Sequence, residues 1–304
     1  MTQFKRRHTA EDVSAGVDLT GKNALVTGAN TGIGKETARV LALRGARVTM
    51  ACRDRAKAEA ARREILVGAG GAIDEERLDL LDLDLSSLAA TRAAATAYAD
   101  RGTPLHLLIN NAGIMIPMER RTMDGFEAHF GINHLGHYLF THLLMNALKA
   151  AEGARVVAVS SGAMAAATMT AELSDLNWES RKHSGLRSYG DSKLMNLMFA
   201  KELTRRFQND GIVSNALHPG VIPTELARDQ SWPFMLLGIL MMPRMKSIGQ
   251  GASASVLLAT HPDYAKCGGL YLVNNREKRP DHKLALDDEA CAALWDMSAE
   301  LTGL

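Results

Sequence analysis

The chain has 304 residues, 46% hydrophobic and 23% charged, with a formal net charge of +1. That is enough apolar material for one sizeable soluble core, and the near-neutral balance gives no sign of a nucleic-acid or other polyanionic partner. Cys52, Cys267 and Cys291 form no Cys-x-x-Cys pair, which argues against a disulfide framework or a zinc site and for a reducing, cytoplasmic setting.

The opening "MTQFKRRHTAEDVSAG" has no apolar core of a secretory signal. Residues 1–18 read as an N-terminal extension whose Lys5-Arg6-Arg7 run is a solvated tail, and 19–304 as one domain. Short apolar runs then alternate with segments of helical period. "NALVTG", "ARVTMACR", "LHLLINNAG", "ARVVAVSSG", "IVSNALHPG" and "GLYLVNN" read as buried parallel strands. Between them Lys35–Arg44, Asp54–Leu66, Ser86–Ala99, Gly125–Ala150 and Ser192–Phe207 carry apolar residues at three- and four-residue spacing. Such alternation predicts an α/β doubly wound sheet, whose ligands bind beyond the carboxyl ends of the strands.

The turn after the first strand, "VTGANTGIGKE", admits two readings. A nucleoside-triphosphate loop needs Gly-x-x-x-x-Gly-Lys and then Ser or Thr. Here five residues separate Gly28 from Gly34, and Glu36 stands at the hydroxyl position, so that reading fails. A dinucleotide turn fits better: Gly28, Asn30, Thr31, Gly32, Ile33 and Gly34 bring backbone and a helix N-terminus to a pyrophosphate. The residue about 20 positions on selects the ribose. That position falls on Arg53, whose planar fork suits a 2′-phosphate, so NADP(H) is expected over NAD(H). Asp54 is the competing ribose ligand, although it also suits a helix cap.

Farther along, "SYGDSKLMN" sets Tyr189 and Lys193 four apart on one helix face. An ammonium nearby lowers a phenol's pKa and fits it for proton exchange with an alcohol or carbonyl. His129, His134, His137 and His142 show no ligand spacing and read as packing or surface residues, so no metal is expected.

In order, the glycine turn, "NNAG", "VSSG" and Tyr-x-x-x-Lys resemble the short-chain dehydrogenase/reductase family from about Leu19 onward. "ACRD", "INHLGHYLF", "HPGVIPTEL" and "LWDMSAELTGL" resemble its retinol-dehydrogenase-like and WW-domain-oxidoreductase-like branch. The resemblance implies a single-domain Rossmann fold with a seven-stranded, mainly parallel sheet. It makes Tyr189 the general acid/base and Lys193 the ribose ligand that depresses the tyrosine pKa. Ser161 becomes the hydroxyl on the substrate oxygen and Asn133 the anchor of a water-linked relay. It places Asn111, Ala112 and Gly113 beside the adenosine ribose, Asp84 and Leu85 beside the adenine, and Pro219, Gly220, Ile222 and Thr224 along the nicotinamide. Ser160 stays open as the alternative serine, and a merely capping Asn133 as the alternative asparagine.

A substrate lid is expected at about 225–250. Trp232–Met242 is rich in apolar side chains, including methionines that adapt to irregular ligands, which suggests a hydrophobic ketone or aldehyde and its alcohol. A core helix, a dimer contact or a peripheral membrane contact would use the same stretch, which is about half the ~20 residues of a membrane span. "LMNLMFAKEL" carries an apolar stripe that serves either a homodimer seam or the core. The expected activity is an NADP(H)-dependent oxidoreductase. An NADP-sensing or sugar-nucleotide-modifying protein on the same scaffold is the alternative.

Overall fold

The computed structural model describes residues 4–222 and 245–304, so Thr224, Trp232–Met242 and most of the expected lid lie outside the described residues. The apolar runs form β1 (Asn23–Thr27), β2 (Arg47–Cys52), β4 (Leu107–Asn110), β5 (Arg155–Val159), β6 (Val213–His218) and β7 (Tyr271–Val273). Two further strands, β3 (Leu78–Asp82) and β8 (Arg276–Glu277), complete a sheet ordered β3-β2-β1-β4-β5-β6-β7-β8. The first seven run parallel and β8 is antiparallel to β7, so the expected seven strands gain a two-residue eighth.

The helices are α1 (Ala10–Val13), α2 (Gly32–Leu43), α3 (Arg55–Gly68), α4 (Leu88–Ala99), α5 (Gly136–Leu143), α6 (Met145–Lys149), α7 (Gly185–Phe207), α8 (Ile248–Thr260) and α9 (Asp288–Thr302). Successive strand residues point to opposite faces, and the core divides accordingly. Leu25, Leu108, Val156 and Ala216 pack with Tyr98, Tyr138, Leu194 and Trp295 on one side. Val26, Met50, Ile109 and Val157 pack with Leu41, Ile65 and Val256 on the other. Each large buried side chain contributes about 1.5–3 kcal/mol. An exposed pair such as Lys35–Glu64 contributes about 0–1 kcal/mol, so the two cores set the stability.

The stripe on α7 belongs to the core. Leu194, Met195, Leu197, Met198 and Phe199 are all buried within the single chain, and Phe199 stacks on Trp295 of α9 at 5.8 Å and 5°. The C-terminal helix α9 thus packs on this stripe. The N-terminal residues are also spent: Asn275 Nδ2 donates to the Lys5 carbonyl at 3.0 Å, and Ala10 and Val13 are buried. The side chains of Lys5, Arg6 and Arg7 remain exposed on this tethered backbone. Between β2 and β4, both partners of β1, the winding reverses, and the crevice beyond their carboxyl ends is the topological place for a ligand.

Candidate active site

The glycine turn closes the end of β1 against its neighbours. Gly28 N donates to the Ala51 carbonyl at 2.8 Å, and α2 begins four residues later with Thr31 as a cap whose hydroxyl makes no capping bond. The first N–H groups of α2 are thus left for an anion. A Cβ at Gly34 would collide with the Gly28 carbonyl and come within 2.5 Å of Asn111 Nδ2, which makes the turn tight enough for close approach. These donors and this cradle fit a dinucleotide pyrophosphate. Asn30, Gly32 and Ile33 lie in the same turn, and Ile33 and Ile222 converge on Gly251 of α8.

Arg53 stands just past β2, exposed and without an ion pair to any described residue. Asp54 is engaged instead as the α3 cap, accepting from Lys57 N at 3.1 Å, while capping and Lys57 hold its carboxyl below the usual range. Asp84 accepts from Ser86 N and Oγ at 2.9 and 2.7 Å, beside a buried Leu85. The side chain of Asn111 is spent structurally, donating to the Thr27 carbonyl at 2.8 Å, so it presents backbone rather than amide to a ligand.

A single hydroxyl fixes the β1–β4 crevice. Thr27 Oγ1 accepts from Asn111 N and Ala112 N, both at 2.9 Å, and lies 2.9 Å from His137 Nε2. His137 Nδ1 is 3.0 Å from the Asn133 carbonyl, an obligate acceptor, so Nδ1 carries the proton and the Thr27 hydroxyl donates to Nε2. Burial, first of all, holds His137 at about 4 and His134 at about 3, so both stay neutral packing residues.

The expected helix at 125–150 is interrupted by a π-helical segment, His129–Leu135, which carries Asn133 inward. Asn133 Oδ1 accepts from Ile114 N at 2.8 Å, and its Nδ2 donates to the Ile114 carbonyl at 3.1 Å and to Ser192 Oγ at 3.0 Å. It ties the segment after β4 to α7. Gly113 lies between the key groups: a Cβ there would sit 3.1 Å from Asn133 Oδ1 and 3.2 Å from Lys193 Nζ.

At the end of β5 the two serines take different parts. Ser160 Oγ is buried and donates to the Lys193 carbonyl at 2.6 Å, whereas Ser161 is half-buried, accepts from Ala163 N at 3.2 Å and lies near enough to Tyr189 to lower its phenol's pKa. Helix α7 starts seven residues earlier than its periodicity predicts, so Tyr189 and Lys193 both lie well inside it. Lys193 Nζ donates to the Val159 carbonyl at 3.0 Å and sits 5.6 Å from the centre of the Tyr189 ring. Burial lowers Lys193 to about 8. Burial also pushes Tyr189 up, with Ser161 opposing, so the cofactor-free chain does not hold the depressed phenol that the sequence suggests. The reason is that the phenol is itself buried, which disfavours its charged form.

Pro219 and Gly220 follow β6, and Lys246 lies against Gly220. Burial lowers this lysine to about 8 as well. Its sequence surroundings gave no hint of it.

Residues 162–184, between Ser161 and Tyr189, are pinned to α7. Asp191 Oδ1 accepts from Thr168 N and Met169 N at 2.5 and 3.0 Å, and Arg181 Nη2 donates to Oδ2 at 3.0 Å. The Arg181 guanidinium lies 3.7 Å over the Trp178 ring. Burial raises the Asp191 carboxyl, against these bonds.

The family model for short chain dehydrogenases matches residues 22–172. Retinol dehydrogenase 12 of Mus musculus is 42% identical over 290 residues, covering 95% of this chain and 88% of that protein. Retinol dehydrogenase 13 of Homo sapiens is 40% identical over 291 residues, covering 94% and 86%. A solved, uncharacterized protein from Mycobacterium paratuberculosis superposes with a TM-score of 0.75 at 34% identity, over 96% of this chain and 97% of that one. The Pseudomonas aeruginosa RhlG/NADP complex shares the fold, with a TM-score of 0.67 at 23% identity over 85% and 96%.

Proposed function

Because the chain belongs to the short-chain dehydrogenase/reductase family, in its retinol-dehydrogenase-like branch, we propose that it uses NADP(H) to interconvert a hydrophobic ketone or aldehyde and its alcohol. At the family level it is an oxidoreductase of alcohol and carbonyl groups with a nicotinamide cofactor. The observation that carries the finer reading is the meeting of Ser161, Tyr189, Lys193 and Asn133 beyond β4 and β5, beside the glycine turn.

The bound dinucleotide would supply the hydride. The glycine turn and the first N–H groups of α2 would hold its pyrophosphate, and the exposed Arg53 its 2′-phosphate. During reduction, negative charge grows on the substrate oxygen, and two donors aimed there stabilise it: Ser161 Oγ and Tyr189 Oη. Tyr189 gives its proton to that oxygen. The phenolate left behind needs a nearby cation, and the buried Lys193 is the one the helix provides. Asn133 fixes the segment that passes between them. In oxidation the same groups run in reverse, Tyr189 taking the alcohol proton.

The relatives named retinol dehydrogenases support a long apolar substrate. Cys52, Cys267 and Cys291 are all free, in keeping with a cytoplasmic protein. Among the described residues no helix is long and apolar enough to cross a membrane.

The test is a fluorescence titration with NADPH and NADH, followed by turnover of all-trans-retinal, a polycyclic ketone and glyceraldehyde. NADPH should bind more tightly by about tenfold or more, and Arg53→Ala should erase that margin while sparing NADH. Equal or tighter NADH binding would sink the NADP assignment, and a preference for glyceraldehyde would sink the apolar one. Tyr189→Phe should bind cofactor and turn nothing over.

A further inference from the structure

Glu127 is a buried carboxylate that the proton chemistry above does not use. Its Oε2 accepts from Phe130 N at 2.9 Å, and its Oε1 lies 2.9 Å from His129 Nδ1 and 3.1 Å from His183 Nε2. Burial opposes the charge, but the bonds from His129, Phe130 and His183 outweigh it and hold the carboxyl below its ordinary range. Ser188 Oγ sits 3.0 Å from His129 Nδ1 and 3.2 Å from His183 Nε2. On the far side of His129, Nε2 accepts from Ile116 N at 3.0 Å.

Glu127, His129 and His183 are close enough to suggest a metal site, but the hydrogen bonding opposes one. Nε2 of His129 takes a backbone N–H, so the ring's proton resides on Nδ1, and that nitrogen has no lone pair for an ion. A metal-ligating histidine uses its second nitrogen as a donor, the opposite arrangement.

What the cluster does is join four pieces of chain around one side chain. The His129 ring stands edge-on to the Tyr189 ring, 5.8 Å away and at 69°. His183 belongs to the segment that walls the substrate side, as does Asn177, whose Oδ1 accepts from Glu127 N at 2.6 Å. Ile116 lies in the segment after β4, and Ser188 precedes Tyr189 on α7. We propose that Glu127, acting through His129 and His183, is a positioning residue that fixes the Tyr189 ring and couples it to the 162–184 wall. This rests on the reading of Tyr189 as the acid/base.

The geometry dictates the variants. Glu127→Gln turns one accepting oxygen into an amide donor, which then faces either Phe130 N–H or the two histidine donors. His183→Ala removes one donor, and His183→Gln keeps an N–H donor at the Nε2 position. Two readouts serve: the resonance of Tyr189 in protein carrying 13C-ring-labelled tyrosine, identified by its loss in Tyr189→Phe, and kcat for all-trans-retinal at saturating NADPH. In Glu127→Gln and His183→Ala the resonance should shift or broaden and kcat should fall about tenfold or more. NADPH affinity should stay within about twofold, and His183→Gln should recover most of what His183→Ala loses. An unchanged Tyr189 resonance overturns the proposal. So does equal damage from His183→Gln and His183→Ala, or a loss of kcat that only tracks lost NADPH affinity and melting temperature. If the wild type turns over no carbonyl, the proposed function fails by itself, and the resonances still decide the role of Glu127.

Discussion

On the cofactor wall, built from β1, β2 and β4, position is set by backbone: a turn too tight for a Cβ, a helix start with free N–H groups, and one threonine hydroxyl bonding three neighbours. On the wall that the proposed function sets against the substrate, residues 162–184 and α7, position is set by buried carboxylates, with Asp191 holding Thr168, Met169 and Arg181 and Glu127 holding His129 and His183. Backbone donors recognise what every dinucleotide shares, so that wall works with almost any side chains. Buried carboxylates hold one particular loop shape, and each costs desolvation unless its acceptor sites are filled. The first wall therefore suits a constant ligand, and the second a changing one.

The contrast can be broken most sharply on the backbone side. Gly34→Val drives a side chain into the Gly28 carbonyl and the Asn111 amide, and NADPH affinity should fall about 100-fold in a fluorescence titration. Retained affinity would mean that the turn is not the cradle. On the other wall, Asp191→Asn removes the nearer of the two carboxylates beside Arg181, at 3.0 Å, and leaves Asp175 at 3.4 Å. The KM for an apolar carbonyl should rise several-fold and the melting temperature drop by about 5 °C, while NADPH affinity holds. A matching loss of cofactor affinity would show that the walls are not independent.

Lys193, where the walls meet, gives the smallest effect and the one of opposite sign. Its ammonium is buried and shifted from 10.5 to about 8, so the folded state holds that proton less firmly than the unfolded chain. The charge costs the fold about 3 kcal/mol below pH 8, and the cost fades as pH rises from 8 toward 10.5. Lys193→Met, with Val159's carbonyl still accepting from Asn196 at 3.1 Å, should raise the cofactor-free melting temperature at pH 7 by a few degrees and abolish turnover. That advantage should shrink by pH 10. A variant that melts lower than wild type at pH 7 would mean that the ammonium is well paired.

The same divide explains what could be read from the sequence. Strands buried on both faces announce themselves as unbroken apolar runs, and six of them stand out. The strand β3 does not, because it lies at the sheet edge and alternates leucine with exposed aspartate. The glycine spacing, Arg53 after β2, the serines after β5 and the Tyr189–Lys193 spacing are local patterns, so their places in the fold were legible. The resemblance favoured Ser161 over Ser160, but the different surroundings of the two serines needed the structure, in which Ser160 reaches the α7 carbonyl. Glu127 and His183 were invisible as a pair because 56 positions separate them and no motif joins them. Residues 162–184 carry left-handed backbone at Leu173, Asp175 and Trp178, which no apolar period foretells.

The π-helical segment at 129–135 has a consequence for how this chain can change over generations. A π turn is an α turn carrying one residue too many. Deleting one residue there would relax it to α while the turns on either side keep their phase, because the wide turn absorbs the extra residue locally. Leu135 and Tyr138, both fully enclosed, would keep their places in the core, while Asn133, inside the wide turn, would leave the crevice. Length variation is thus closed to lineages of this protein in that stretch. The exposed glycine-rich turn at 70–71, where an added Cβ meets nothing within 4 Å, is free to absorb it.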